Sequence, residues 1–168
     1  MTTFQSLTLM NKFADDTKAA SLANSLAESD KFQDQINKLY GWSKLWNMEF
    51  NVDKCHILHL GSRNRGQNYT MNGITLPTSS KEKDLGVQIT NDLKPSYHCS
   101  EAARKATATL YSISRSFHFR DKHVFVKLFK QYVRPQLEYA VQLWSPWLQK
   151  DIEILERVQK RMVPILHP

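Results

Sequence analysis

Cysteine is scarce in this chain. Cys55 and Cys99 are the only two among 168 residues, too few for a disulfide framework, so a reducing intracellular setting is the expectation. No apolar run is long enough to span a bilayer, and the N-terminal stretch lacks a signal-type apolar segment, so no membrane partner is expected. Asn68-Tyr69-Thr70 has the form of a glycosylation acceptor, which carries no meaning without a secretory signal. Also missing are a phosphate-cradling glycine loop, a dinucleotide fingerprint, a serine–histidine–acid arrangement, internal repeats and low-complexity segments. Cys55-His56, His59 and the distant His98-Cys99 do not have the paired spacing of a zinc site. His118 and His123 bracket a loop and read as solvent-exposed. What remains is a chain with 41% hydrophobic residues, enough to bury a core in one domain or two small lobes.

Lys12-Phe13-Ala14-Asp15-Asp16-Thr17-Lys18 places two adjacent carboxylates after an apolar-led segment containing Leu7, Leu9 and Phe13. Read as a hairpin, the pair sits at a tight turn, where two carboxylates in one small volume suit a hard divalent cation. Read as a helix start, Asp15 or Asp16 caps a helix beginning near Thr17. The dipeptide alone leaves both readings open.

Charge is unevenly spread. Residues 1–94 hold 11 Lys and Arg against 10 Asp and Glu, whereas residues 95–168 hold 12 against 6. The break falls at Lys94-Pro95-Ser96, where proline disfavours helix before it and Ser96 can cap the helix after it. A nearly neutral lobe, 1–94, followed by a basic lobe, 95–168, points to an anionic partner for the second.

The apolar pattern predicts an α+β first lobe. Asn24 to Met48 reads as a helix with Phe32, Ile36, Leu39, Trp42 and Trp46 on a core stripe. Asn51 to Leu60 reads as a strand, and residues 61–68 as a polar loop with Arg63 and Arg65. Tyr69 to Leu76 reads as a hairpin turning at Asn72-Gly73, and Asp84 to Thr90 as a further strand. The second lobe reads as helical. Ser96 to Phe117 carries Ala102, Ala106, Leu110, Ile113 and Phe117 on one face and Arg104, Tyr111 and Arg115 on another. Pro135 must kink or divide 122–140. A last helix from Asp151, supported by Glu153–Arg157 and Glu156–Lys160 spacing, is expected to end at Pro164. Trp144-Ser145-Pro146-Trp147 lies between helices, and core packing is favoured over base stacking there.

Several blocks stand in order along the chain: Phe13 to Lys18, Leu39-Tyr40-Gly41-Trp42-Ser43, Trp46 to Cys55, Tyr69 to Gly73, Lys83-Asp84-Leu85-Gly86-Val87, Tyr132 to Ala140 and Leu155 to Arg161. Together they resemble the jockey-like reverse transcriptases of non-LTR (LINE-type) retrotransposons, from about Leu9 to Met162. The resemblance implies a partial polymerase palm (acidic hairpin, helix, short antiparallel strands) followed by an α-helical thumb. It implies that Asp15 and Asp16 are catalytic and hold Mg2+, that Lys54 lies near the incoming nucleotide, and that Leu85, Gly86 and Val87 grip the primer. It further implies that Arg104, Lys105, Arg115 and Lys127 touch phosphates of an RNA–DNA duplex, with an RNA template as partner of the parent enzyme.

The same family uses a further metal-binding aspartate on an earlier strand, and fingers. The twelve residues before Phe13 contain no Asp or Glu. The expectation is therefore a C-terminal palm-and-thumb piece, without endonuclease region or Cys/His-rich tail, inactive as a polymerase by itself and prone to self-association through exposed palm surface. Two readings stand beside it: a non-catalytic RNA/DNA-binding helical module, and a helical protein-interaction scaffold.

Overall fold

The computed structural model describes residues 9–117 and 121–166, which form two compact units, 1–80 and 81–168. His118 lies outside the described residues. The boundary between the units falls ahead of the charge break at Pro95, because the last β-hairpin packs with the helices that follow it.

In the first unit, β1 (Leu9–Phe13) and β2 (Asp16–Ala20) form an antiparallel hairpin in the register Phe13↔Asp16. Helix α1 (Leu26–Leu45) begins at a capping box: the Ser25 hydroxyl accepts from the Glu28 N–H at 3.2 Å, and the Glu28 carboxylate accepts from the Ser25 N–H at 3.1 Å. Its buried line is Ser29, Ile36 and Ser43, flanked by Phe32 and Tyr40. Trp42 and Trp46 are 43% and 63% exposed, contrary to the expected core stripe. Trp42 stands about 120° round the helix from Ile36, so the two cannot share one face. The small core joins Ile36 to Tyr69, Met71 and Leu76, and Gln33 ties helix to chain by donating to the Thr70 carbonyl at 2.7 Å while accepting from the Thr70 N–H at 2.8 Å.

The expected strand over 51–60 is mostly absent. Val52–Lys54 is a 3-10 turn, with Lys54 N–H donating to the Asn51 carbonyl and Cys55 N–H to the Val52 carbonyl, both at 3.0 Å. Those backbone groups are spent locally and cannot join a ladder. Only β3 (Ile57–Leu58) is extended, and it pairs in parallel with β6 (Thr78–Ser79), not antiparallel as expected. The hairpin of β4 (Thr70–Met71) and β5 (Ile74–Thr75) turns at Asn72 (φ 55) and Gly73 (φ 75), the two positive angles that a tight hairpin turn requires.

In the second unit, the expected single strand over 84–90 is a hairpin. β7 (Lys81–Asp84) and β8 (Val87–Thr90) turn at Leu85 (φ 45) and Gly86 (φ 92). Val87 is buried with Cys99 and Trp144. Helix α2 (Ser96–Ser116) has Pro95 at its cap position, and Ser96 does not cap it. The Ser96 hydroxyl instead donates to the buried Asp151 carboxylate at 2.6 Å.

Residues 122–138 divide as expected near Pro135. α3 (Lys122–Leu128) leads into a π-helical turn (Phe129–Val133) and then α4 (Arg134–Glu138). Pro135 has no N–H to donate back along the helix, which favours a widened turn just before it. The core residues Phe125, Phe129, Val133 and Leu137 follow each other at steps of four. An α-helix drifts about 40° at each such step, and the π turn takes up that drift.

Helix α5 (Val141–Trp144) buries Trp144, whose indole N–H donates to the Tyr139 carbonyl at 2.7 Å, whereas Trp147 is 64% exposed. Helix α6 (Gln149–Leu166) runs through Pro164 and does not end there. A proline removes one hydrogen bond, and this one lies in the last turn of a long helix anchored by the buried Val158.

Candidate functional site

The acidic pair sits on a hairpin, and the capping reading is set aside because the first helix begins only at Leu26. Ala14 and Asp15 form the loop, and Asp16 opens β2 opposite Phe13. Ala14 holds φ 53, a left-handed conformation costing a non-glycine residue about 1–2 kcal/mol. Such strain concentrates at functional turns. Asp15 and Asp16 are both exposed. Nearby, the Lys12 ammonium lies 5.6 Å from the Trp42 ring centre. Carboxylate oxygens are the donors that Mg2+ takes, but that ion needs several to converge. Among the described residues no group of three His, Cys, Asp or Glu is placed to hold a metal. Asp15 and Asp16 by themselves supply only two carboxylate donors, fewer than that ion takes.

Lys54 ends the 3-10 turn of the first unit and is exposed. Leu85, Gly86 and Val87 lie in the second unit, at the β7–β8 turn. This turn is held from two sides. The Tyr139 hydroxyl donates to the Leu85 carbonyl at 2.9 Å, and the Gln88 N–H donates to His98 Nδ1 at 3.1 Å. The Lys81 ammonium donates to the Tyr97 hydroxyl at 2.9 Å.

His98 is buried, with its ring centre 4.6 Å from that of Trp144. Burial, aided by the charge of Lys105, holds its pKa below the ordinary imidazole value. The unfolded chain then takes up the proton first, so stability is complete above about pH 6.5 and declines as pH falls below it. The unfolding midpoint in urea, followed by tryptophan fluorescence, is expected to drop between pH 7 and 5.5, and His98→Gln to flatten that dependence. An equal slope in the variant rejects His98 as its source. Cys99, fully buried, has its thiol pushed up to about 11 by burial and by the charge of Asp151, which makes it an inert core residue.

Arg104, Lys105 and Arg115 on α2, and Lys127 on α3, are all exposed. They are not one patch of free charge. Arg104 forks onto Glu101, donating from Nε at 3.2 Å and from Nη2 at 3.0 Å. That bond holds the Glu101 carboxyl below and the Arg104 guanidinium above their ordinary pKa values. Beside this pair, α2 and α6 frame a cleft of about 300 Å3. Ser100, Ala103, Arg104 and Thr107 form one wall, and Ile154, Arg157, Val158 and Arg161 the other. Arg161 reaches across to donate to the Thr107 hydroxyl at 3.4 Å. Sequence reasoning missed Arg157 and Arg161 as site residues and read Arg157 as a partner for Glu153. The available signal was their four-residue spacing beside Val158, which places two arginines along the edge of the buried face. Among the described helices none is long and apolar enough to cross a membrane.

No protein-family model matches the chain, and no solved structure matches it. It is 22% identical over 160 residues to an RNA-directed DNA polymerase from the mobile element jockey of Drosophila funebris. That alignment covers 92% of this chain and 18% of the relative, so the chain spans less than a fifth of that protein's length. The similarity supports a reverse-transcriptase-like relationship for a mixed helix-and-sheet chain.

Proposed function

We propose that this chain is a palm-and-thumb portion of a retrotransposon RNA-directed DNA polymerase, of the non-LTR, jockey-like type. The observation that carries the reading is the similarity running through 92% of the chain, with the acidic pair on a hairpin turn. In this reading Asp15 and Asp16 contribute to a Mg2+ site whose other donors come from elsewhere in a longer polymerase. The ion, when bound, supplies charge stabilisation to phosphoryl transfer. Lys54 faces the incoming nucleotide, and the Leu85–Val87 turn supports the primer end. The basic helices hold an RNA–DNA duplex by its backbone, in a sequence-neutral and salt-sensitive way. The exposed Leu9, Phe13, Leu45 and Trp46 of the first unit favour self-association when uncovered.

Two carboxylates bind Mg2+ weakly without further oxygens, so the chain alone is expected to show no templated primer extension with magnesium or manganese. Asp15→Asn/Asp16→Asn is expected to leave hybrid binding within about twofold, because exposed carboxylates on the hairpin are not phosphate contacts. Templated nucleotide addition by the chain overturns its assignment as an incomplete polymerase. A large loss of hybrid binding in the Asp variant overturns the division of labour between the units. The arginine cleft favours one second reading, a non-catalytic RNA/DNA-binding module, which predicts hybrid binding with no polymerase role in any longer context.

A further inference from the structure

We propose that the α2–α6 cleft binds a phosphate of a polynucleotide backbone through Arg104, Arg157 and Arg161, and that Glu101 competes with that phosphate for Arg104. The proposal rests on the nucleic-acid reading of the helical unit and adds to it a defined seat and a competing group.

The eight residues lining the cleft include three arginines and no carboxylate. Arg157 and Arg161 bring two positive charges to one wall of the cleft, opposite Arg104, whose charge Glu101 offsets, and this surplus favours an anion there. Guanidinium forks match phosphate oxygens in pairs, which an ammonium cannot do. Thr107 adds a hydroxyl donor on the α2 wall, the Ser100 hydroxyl donates to the Ser96 carbonyl at 3.0 Å, and Ala103 and the fully buried Val158 make an apolar floor. Helical spacing fixes this arrangement: Ser100 and Arg104 are one turn apart on α2, as are Arg157 and Arg161 on α6. The cleft, at about 300 Å3, has room for a phosphate with its sugar.

Glu101 gives the site its second property. Both of its carboxylate oxygens hold Arg104, at 3.2 and 3.0 Å, so a carboxylate already occupies the guanidinium fork that a phosphate needs. Arg104 is exposed, Glu101 is half-buried, and the two stand three residues apart on one helix, a modest class of ion pair. A phosphate gripped by two further arginines displaces it. Binding therefore exchanges carboxylate for phosphate at Arg104, and the exchange sets affinity.

The test uses the full chain and fluorescence anisotropy with a labelled RNA–DNA hybrid, at salt from about 50 to 200 mM. Arg157→Ala and Arg161→Ala are each expected to weaken binding by about tenfold and to reduce the salt slope by about one. Arg157→Lys, keeping charge but losing the fork, is expected to fall between. Glu101→Gln is expected to tighten binding by more than Glu138→Gln does. The latter makes the same charge change beside Arg134, outside the cleft. Inorganic phosphate is expected to compete only at far higher concentration than a phosphodiester strand. Hybrid binding by the parent chain that both arginine variants retain, with unchanged slope, overturns the cleft while leaving the nucleic-acid reading intact. No hybrid binding by the parent chain overturns both. Displacement by poly-glutamate as effective as by an equally charged oligonucleotide overturns phosphate recognition, as does equal tightening by the two Glu→Gln variants.

Discussion

Phe125→Ala is expected to lower the unfolding free energy of the second unit by about 3–5 kcal/mol. Phe125 is 2% exposed and packs in one cluster with Ala106, Leu110, Phe129, Val133 and Val158. Truncation removes a ring from the middle of that cluster, and the rigid helices on each side cannot collapse into the space. A unit of this size has a total stability of only about 5–10 kcal/mol, so the variant loses about a third or more of it and unfolds at markedly lower urea. Val124→Ala provides the contrast: its neighbour in sequence is 48% exposed, and its loss should cost less than about 1 kcal/mol. Urea unfolding followed by tryptophan fluorescence measures both. Equal effects at the two positions contradict the observed packing face of α3.

Gly86→Val is expected to cost about 2–3 kcal/mol, from two separable sources. At φ 92 an L side chain is strained whatever the space, by about 1–2 kcal/mol. A Cβ at this position also meets the Tyr139 ring at 3.1 Å, and moving that ring breaks its hydroxyl's bond to the Leu85 carbonyl, worth about 1 kcal/mol. Tyr139→Phe removes only the second contribution, so it should cost about 1 kcal/mol. The double variant should then be less than additive, because both changes act on one contact. Strict additivity, or a Gly86→Val cost below that of Tyr139→Phe, contradicts the close approach. If the β7–β8 turn also supports a primer end, as proposed, the same variant weakens binding of a primed template more than that of an unprimed strand.

Which elements the sequence revealed follows from how local their causes are. The Asn72-Gly73 turn, the division near Pro135 and the start of α1 were all legible, since each is dictated by backbone preferences of one or two residues. The Leu85-Gly86 turn was hidden because Leu is an unusual occupant of a left-handed position, and its alternation with Val87 and Ile89 imitates a strand. Trp42 and Trp46 misled because hydrophobicity outweighed angle: only Ser29, Ile36 and Ser43 share one line on α1, and two of those are polar. The π turn could be read from the four-residue steps of Phe125, Phe129, Val133 and Leu137 only with the packed core in view. The acidic hairpin was not settled by its own residues, which fit a helix cap as well; only their ordered context favoured it. The arginine cleft was not, since Arg104 and the pair Arg157 and Arg161 come from helices that only the tertiary fold brings together.

In the proposed function the helical unit holds a nucleic-acid backbone. The most direct measurement is the affinity of the full chain for an RNA–DNA hybrid as salt rises from about 50 to 200 mM. With one phosphate seated in the cleft and one each at Lys105, Arg115 and Lys127, the logarithm of affinity should fall linearly with the logarithm of salt, with slope about −3.6 and a loss of about 150-fold. It should do so equally for hybrids of unrelated sequence. No binding at the lowest salt, or binding that salt does not change, contradicts the account.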